Sequence, residues 1–330
     1  MEYLISIKGA FDHPVALWCS ALALAALVLA PLITLFVDRS GRLSARRRAS
    51  IWANYRTWWV LAPAMIVPLL LCPASAMGLM LVVSLLCYRE YARATGLFRE
   101  QWLSALTSIA IVAVYFAVVD NWYALFVALQ PMTVVVLAAA AVMPDSPQGY
   151  LKRVSLASIG FLLFGVGLGH FALMINDPNY RPILAMLLFC VQLSDVLTFF
   201  FSRVFPGRRV FRNTSPGTTV GGQLAAIVCV ALLVVWLGKL VFPGGRLDDP
   251  GALWLLGLLT GIGTQLGVLI TDSIKRDIGI RDMAATLPGH GGIADRFTGL
   301  IMVAPAAYHI IKYYQGMADL RPMRIFSGLL

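Results

Sequence analysis

Charge is scarce in this chain. Only 13% of its 330 residues are Asp, Glu, Lys or Arg, against roughly 25% in a typical soluble domain. Hydrophobic residues make up 59%, and the mean hydropathy is +0.80. So few charges cannot cover a water-soluble globule of this length, which excludes a soluble enzyme, a disordered tail, collagen and a soluble coiled coil. Paired cysteine motifs are also missing. Cys19, Cys72, Cys87, Cys190 and Cys229 all lie in apolar runs and none forms a CxxC, so a disulfide framework or zinc site is not expected and buried small hydrophobes are. Acid is scarcer than base, 16 Asp and Glu against 26 Lys and Arg, for a net charge of +10. No basic helix or aromatic-basic module accompanies that excess, so nucleic acid is not an expected partner. Internal repeats, low-complexity tracts and an interdomain linker are absent too. No small-residue cleavage site follows Glu2 and Lys8, so an uncleaved first helix is expected rather than a signal peptide.

What the chain does have is long apolar runs. A bilayer core of about 30 Å takes roughly 20 apolar residues per helix, and lone strands cannot cross it because their backbone groups would go unpaired. The expected fold is therefore all-α, a polytopic transmembrane bundle of about ten helices with polar site loops on the cytoplasmic side. The runs fall at 15–37, 58–72, 74–88, 103–119, 122–143, 154–175, 182–202, 221–242, 251–270 and 299–315. The second and third are short and carry Pro63, Pro68 and Pro73, which predicts a kinked hairpin or a partly re-entrant pair. Residues 1–180 form N-terminal transmembrane helices and 181–330 a C-terminal catalytic region, within one continuous membrane domain.

Basic residues concentrate in segments 38–57, 89–101, 144–153, 203–220 and 271–298, while the opposite loops at 120–121, 176–181 and 243–250 are poor in them. With ten spans and an outside N-terminus, all five basic segments face the cytoplasm. Arg321 and Arg324 fit that scheme less well, as they would if the last span did not cross fully.

Two of these segments are more than connecting loops. In the first, Asp195 interrupts an apolar run ahead of Ser215-Pro-Gly-Thr-Thr219-Val-Gly-Gly222. A carboxylate at membrane depth is costly and marks a functional candidate; pairing with an arginine for packing is the plainer alternative. Ser-Pro-Gly is turn chemistry, and Gly221-Gly222 suits close backbone approach to a phosphate or close helix packing. In the second, Asp272, Asp277, Asp282 and Asp295 alternate with Lys275, Arg276, Arg281 and Arg296 around Pro288-Gly289-His290-Gly291-Gly292. A positive-inside loop has no need of four aspartates. Carboxylates among cations suit a metal ion with phosphate, Asp oxygens taking Mg²⁺ and Lys or Arg the phosphate oxygens. The Gly-rich turn reads as a flexible segment whose amides approach an anion.

The run Lys275-Arg276-x4-Arg281-Asp282-x5-Pro288-Gly289-His290-Gly291-Gly292-x2-Asp295-Arg296 resembles the signature of the phosphatidate cytidylyltransferases (CDP-diacylglycerol synthases). Asp195, Arg203 and Ser215-Pro-Gly-x-Thr219 resemble that family's upstream block. The likeness is strong over roughly 190–310 and topological over 1–180. It implies a multi-pass membrane enzyme joining CTP to phosphatidate to give CDP-diacylglycerol and pyrophosphate, with Mg²⁺ as cofactor. It implies Asp282 and Asp295 as metal ligands, with Asp195 a third ligand or the group orienting the attacking phosphate. Lys275, Arg276, Arg281 and Arg296 would hold phosphates, and His290 would donate to a phosphate or protonate the leaving group. Ser215, Gly217 and Thr219 would line the nucleotide site, with Gly289, Gly291 and Gly292 contacting substrate. Partners are then CTP, a lipid phosphate and membrane lipid, and a homodimer is compatible with such a bundle.

The chain departs from the signature at Val268, Asp272, Thr218, Val220 and Thr298. Family carboxylates are missing at 268 and 298, and a lysine and a tryptophan at 218 and 220. Those losses keep open a catalytically impaired or repurposed homologue that binds nucleotide or lipid as an accessory protein. A CTP-dependent lipid kinase is a further enzymatic alternative. A transporter is disfavoured because the charge sits in loops, with His170 and Asp195 the ionisable candidates within spans.

Overall fold

A computed structural model describes residues 2–5, 12–39, 45–209, 211–289 and 291–315. After a single turn at Glu2–Ile5, ten long helices follow among the described residues: α1 Pro14–Arg39, α2 Ala45–Leu71, α3 Pro73–Ala94, α4 Gln101–Val119, α5 Tyr123–Ala140, α6 Tyr150–Asn176, α7 Tyr180–Val204, α8 Val220–Val241, α9 Pro250–Asp277 and α10 Ala294–Gln315. No β-strand occurs among them. Six, α4 through α9, are long and apolar enough to cross a membrane by length and composition. Their outward faces carry exposed large hydrophobics such as Trp102, Ile109, Val135, Phe199 and Leu224, a surface that only lipid or another apolar body can cover. The protein is an integral membrane protein.

The apolar part of the Pro-rich second run, Tyr55–Leu71, is short as expected, and α3 follows directly after Cys72 and packs against α2. α2 extends over 27 residues through Pro63 and Pro68. Proline at the first position of α3, Pro73, costs nothing there, and the Ser75 hydroxyl accepts from the Cys72 amide at 3.2 Å. The last carbonyls of α2 find partners on other elements. Ser75 Oγ donates to Pro68 O at 2.7 Å, Tyr180 Oη to Leu69 O at 3.2 Å, and Arg181 to Leu70 O and Leu71 O at 3.1 and 3.2 Å. Helix C-termini leave four carbonyls orphaned and favour a cation beside them. Arg181, the exception in a base-poor loop, is that cation.

The C-terminal helices pack most extensively, α8 lying against both α7 and α9, and α9 against α10. Small residues make this closeness feasible. A Cβ on Gly257 would sit 2.7 Å from Ala231 O, and one on Gly261 3.0 Å from Ile227 O, a small-xxx-small seam between α9 and α8. Gly267 lies directly beneath the Thr298 carbonyl of α10, and Gly222 beneath Ser202 of α7. The pair Gly221-Gly222 therefore serves helix packing. Within α6, a π-helical stretch at Phe161–Gly167 brings Gly167 against the Ile301 backbone.

All five basic segments meet at one end of the bundle. Thr57 Oγ1 donates to Pro288 O at 2.8 Å, Glu90 accepts from Ala294 N at 2.8 Å, and Arg276 reaches Thr214 O at 3.4 Å. The start of α6 touches the turn at Leu97–Arg99. The base-poor loops gather at the other end, where Asn176 donates to Val118 O and Asn179 to Val241 O. Arg321 and Arg324 lie outside the described residues.

Replacing Arg181 by Leu leaves two α2 carbonyls without their donors. The expected cost is about 1–3 kcal/mol, seen as a lower thermal midpoint in detergent, while Arg181→Lys recovers part of it.

Candidate functional site

At the basic end, α9 runs out of the bundle and the chain returns as α10 through residues 278–293. Asp295, at the start of α10, organises this return. Its Oδ1 accepts from Lys275 Nζ at 3.0 Å, and its Oδ2 accepts from Met283 N at 3.0 Å and Gly292 N at 2.9 Å. Lys275 also pairs with Asp272, one turn earlier in α9, at 2.8 Å. The Lys275 and Asp295 side chains are 9% and 4% exposed, so this pair is buried and both charges depend on each other.

Glu90, at the end of α3, holds the same return from the other side. Its carboxylate accepts from the Thr286 hydroxyl, from Ile293 N at 3.0 Å and from Ala294 N at 2.8 Å. Two carboxylates thus occupy the amide end of α10, where partial positive charge favours them. The sequence reading passed over Glu90, counting only the arginines of segment 89–101. A lone acid closing an apolar run, in Cys87-Tyr88-Arg89-Glu90-Tyr91, was the available signal.

Backbone hydrogen bonds flank the Gly-rich turn. Leu287 and Gly291 bridge, Leu287 N donating to Gly291 O at 2.8 Å. Pro288 followed by Gly289 at φ +78° follows the residue order of a type II turn. Of the Gly-rich run whose amides are expected to approach an anion, Gly292 N donates to Asp295, and the next two amides, of Ile293 and Ala294, donate to Glu90. Gly291, at φ +79°, is flanked by both Asp282 and Asp295: a Cβ there would lie 2.9 Å from Asp295 Oδ2 and 3.0 Å from Asp282 Cβ. Asp282 and Asp295 therefore both lie against Gly291. Asp282 itself is exposed, as are Arg276 and Arg281. His290 lies outside the described residues.

The upstream block builds a neighbouring pocket. Asp195 projects from α7 into a cavity lined also by Thr198, Ser215, Gly217, Thr218, Gln265 and Val268. Gln265 donates to Ser194 Oγ at 3.1 Å and Thr198 Oγ1 at 2.8 Å. This amide was missed because only ionisable groups were sought within apolar runs. Thr218 Oγ1 donates to Ser215 O at 3.2 Å. Thr219 does not join the lining. It is the N-cap of α8, accepting from Gly222 N at 3.1 Å and donating to Phe205 O at 2.9 Å, the role its residue type favours. The charges of Arg296 and Asp272 act on the Asp195 carboxylate, and Gln192 Nε2 donates to Arg296 O at 3.2 Å.

Asp195 is not grouped with Asp282 and Asp295 as a three-carboxylate metal site. Among the described residues no three His, Cys, Asp or Glu are arranged to hold one ion, because Asp195 faces the α7–α9 pocket while the others border Gly291.

A family model, the cytidylyltransferase family, matches residues 52–314. The chain belongs to the cytidylyltransferase family. This cytidylyltransferase is 28% identical over 246 residues to the phosphatidate cytidylyltransferase of Helicobacter pylori, covering 72% of this chain and 89% of that one. It is 32% identical over 160 residues to the phosphatidate cytidylyltransferase of Staphylococcus saprophyticus, where the match spans 47% of this chain and 59% of that one. A broader match, 29% over 295 residues, is to the uncharacterized protein YnbB of Escherichia coli, covering 88% of this chain and 96% of that protein. Membership makes the protein a membrane-embedded nucleotidyltransferase whose matched region includes Glu90, the Asp195 pocket and the Asp295 clamp.

Lys275→Met strands the buried Asp295 carboxylate and the half-buried Asp272 and is expected to cost about 3–5 kcal/mol, read as a fall in thermal midpoint. Asp282→Asn removes an exposed charge and should leave the midpoint within about 0.5 kcal/mol of wild type, while abolishing turnover.

Proposed function

We propose that the protein transfers the cytidylyl group of CTP to phosphatidate, giving CDP-diacylglycerol and pyrophosphate, at the cytoplasmic membrane surface. The observation that carries this reading is the placement of Arg296, whose charge acts on Asp195 in the polar pocket while its side of α10 borders an apolar cleft. A soluble anion and a lipid anion can meet at such a point. The site end gathers the five basic segments, which supports a cytoplasmic orientation, the side from which CTP arrives.

In the reaction a phosphatidate oxygen forms a bond to the α-phosphorus. The bond from that phosphorus to the α–β bridging oxygen breaks, and pyrophosphate leaves with the electron pair. Arg296 holds the lipid phosphate and offsets its repulsion from the triphosphate. Asp195 orients the attacking phosphate, the second of its two expected roles. Ser215 and Thr218 offer hydroxyls to the nucleotide along the pocket wall, with Gly217 leaving room beside them. Exposed Arg276 and Arg281 attract the triphosphate to the mouth. Lys275 holds Asp295 in place.

Asp282 and Asp295, whose side chains both lie against Gly291, are the residues that would hold Mg²⁺, with the exposed Asp282 carboxylate offering it oxygen. Mg²⁺ is commonly held by one or two carboxylates together with substrate phosphates, without a full protein cage. Bound there, it would neutralise charge on the triphosphate and on departing pyrophosphate.

One observation favours a second reading. Val268, where the family signature has a carboxylate, lines the pocket beside Asp195, which supports a homologue that binds nucleotide or lipid with little turnover.

Purified protein supplied with CTP, Mg²⁺ and phosphatidate is expected to release pyrophosphate and form CDP-diacylglycerol. Release of CDP with phosphorylation of a lipid alcohol would instead identify a kinase. Binding of CTP or phosphatidate without product would identify an accessory protein. Either result overturns the proposal.

A further inference from the structure

An apolar cleft lies between α1, α2 and α7. Cys19 lines it from α1, Leu61, Met65 and Leu69 from α2, and Leu188 from α7. Its lining is almost wholly nonpolar apart from Ser20, Gln192 and Arg296, and Arg296 lies at the site end, one residue after Asp295. Along α2 its lining runs from Trp58 to Leu70, which at 1.5 Å per residue is about 18 Å. One leaflet contributes about 15 Å of hydrocarbon, half of a bilayer core of about 30 Å. The cleft therefore has the length of one leaflet, with its charged end at the site and its far end where Arg181 caps α2.

We infer that this cleft binds one acyl chain of the phosphorylated lipid substrate, with the phosphate at Arg296. The inference rests on the reading of the protein as acting on a lipid phosphate and adds where and how that lipid is held. Three features commit the cleft to that occupant. Its lining is apolar, so it gains by burying a hydrocarbon chain. A guanidinium stands at its mouth, suited to a phosphate monoester. Arg296 also follows Asp295 directly in the first turn of α10, so a phosphate held there lies beside the polar site. Held by chain and headgroup together, the lipid reaches the reacting atoms with its orientation already set.

The test needs no turnover. Purified protein in nanodiscs is exposed to phosphatidate carrying a photoreactive diazirine on one acyl chain, with phosphatidylcholine carrying the same chain as the comparison. Crosslinked peptides are mapped by mass spectrometry. Labelling by phosphatidate should concentrate on 58–70 and 185–192, exceed that by phosphatidylcholine at least fivefold, and fall at least fivefold in Ala62→Trp and in Ala185→Trp. The two substitutions fill the cleft from opposite walls, and variants are scored only when their thermal midpoint matches wild type. Labelling spread over the lipid-facing surface and unchanged by either substitution overturns the inference. Equal labelling by both lipids also overturns it, since the cleft would then be an unselective bilayer-lipid groove. Absence of pyrophosphate release would count against the proposed reaction and leaves this crosslinking result to stand or fall separately.

Discussion

The Asp295 carboxylate, with Lys275 on one oxygen and two backbone amides on the other, is the interaction on which the site end depends. It ties α9 to α10 and fixes the loop between them. Burial makes the tie costly to break from either side, since each charge would be left in a poorly solvated place. Glu90 adds a second carboxylate to the same helix start and connects it to α3. The segment that carries Asp282 and the Gly-rich turn is therefore braced from the two halves of the chain, and Thr57 adds a third brace from α2 at Pro288.

This bracing changes what the glycines do. A Gly-rich run beside charges suggests a mobile anion cradle, yet here its trailing amides are spent on the protein's own acids. Gly291 instead lets the backbone pass close by Asp282 and Asp295, where a Cβ would press on both. The glycines of α8 and α9 act differently again, letting helix backbones touch where lipid gives no hydrophobic drive for association. Gly267 beneath the Thr298 carbonyl is the contact nearest the site, and it neighbours both positions, 268 and 298, at which the chain lacks a family carboxylate.

Arg296 stands one residue after the clamp. The helix start that Asp295 anchors thereby aims a cation between a polar pocket and an apolar cleft. An enzyme that must bring a soluble anion to a membrane-bound one needs such a junction, and needs it rigid, because a small misplacement of reacting groups is expensive in rate.

The ten helices were legible in the chain itself, because only uninterrupted apolar runs satisfy backbone hydrogen bonds in hydrocarbon, and the runs at 103–119 through 251–270 each became a helix within a few residues. The charged cluster at 272–296 was legible for a similar reason: four aspartates in a charge-poor chain need a purpose. What the prolines of α2 do not show is how its last carbonyls are satisfied: the partners, Ser75, Tyr180 and Arg181, are distant in sequence or on the next helix. Tertiary structure alone decided which carboxylate does what. Asp195, Asp282 and Asp295 are alike as letters. Folding sends the first into a pocket between helices, leaves the second exposed, and buries the third against Lys275, while recruiting Glu90 from nearly two hundred residues away. Such pairings follow from which helix ends meet, a matter of packing between distant segments that no local pattern encodes.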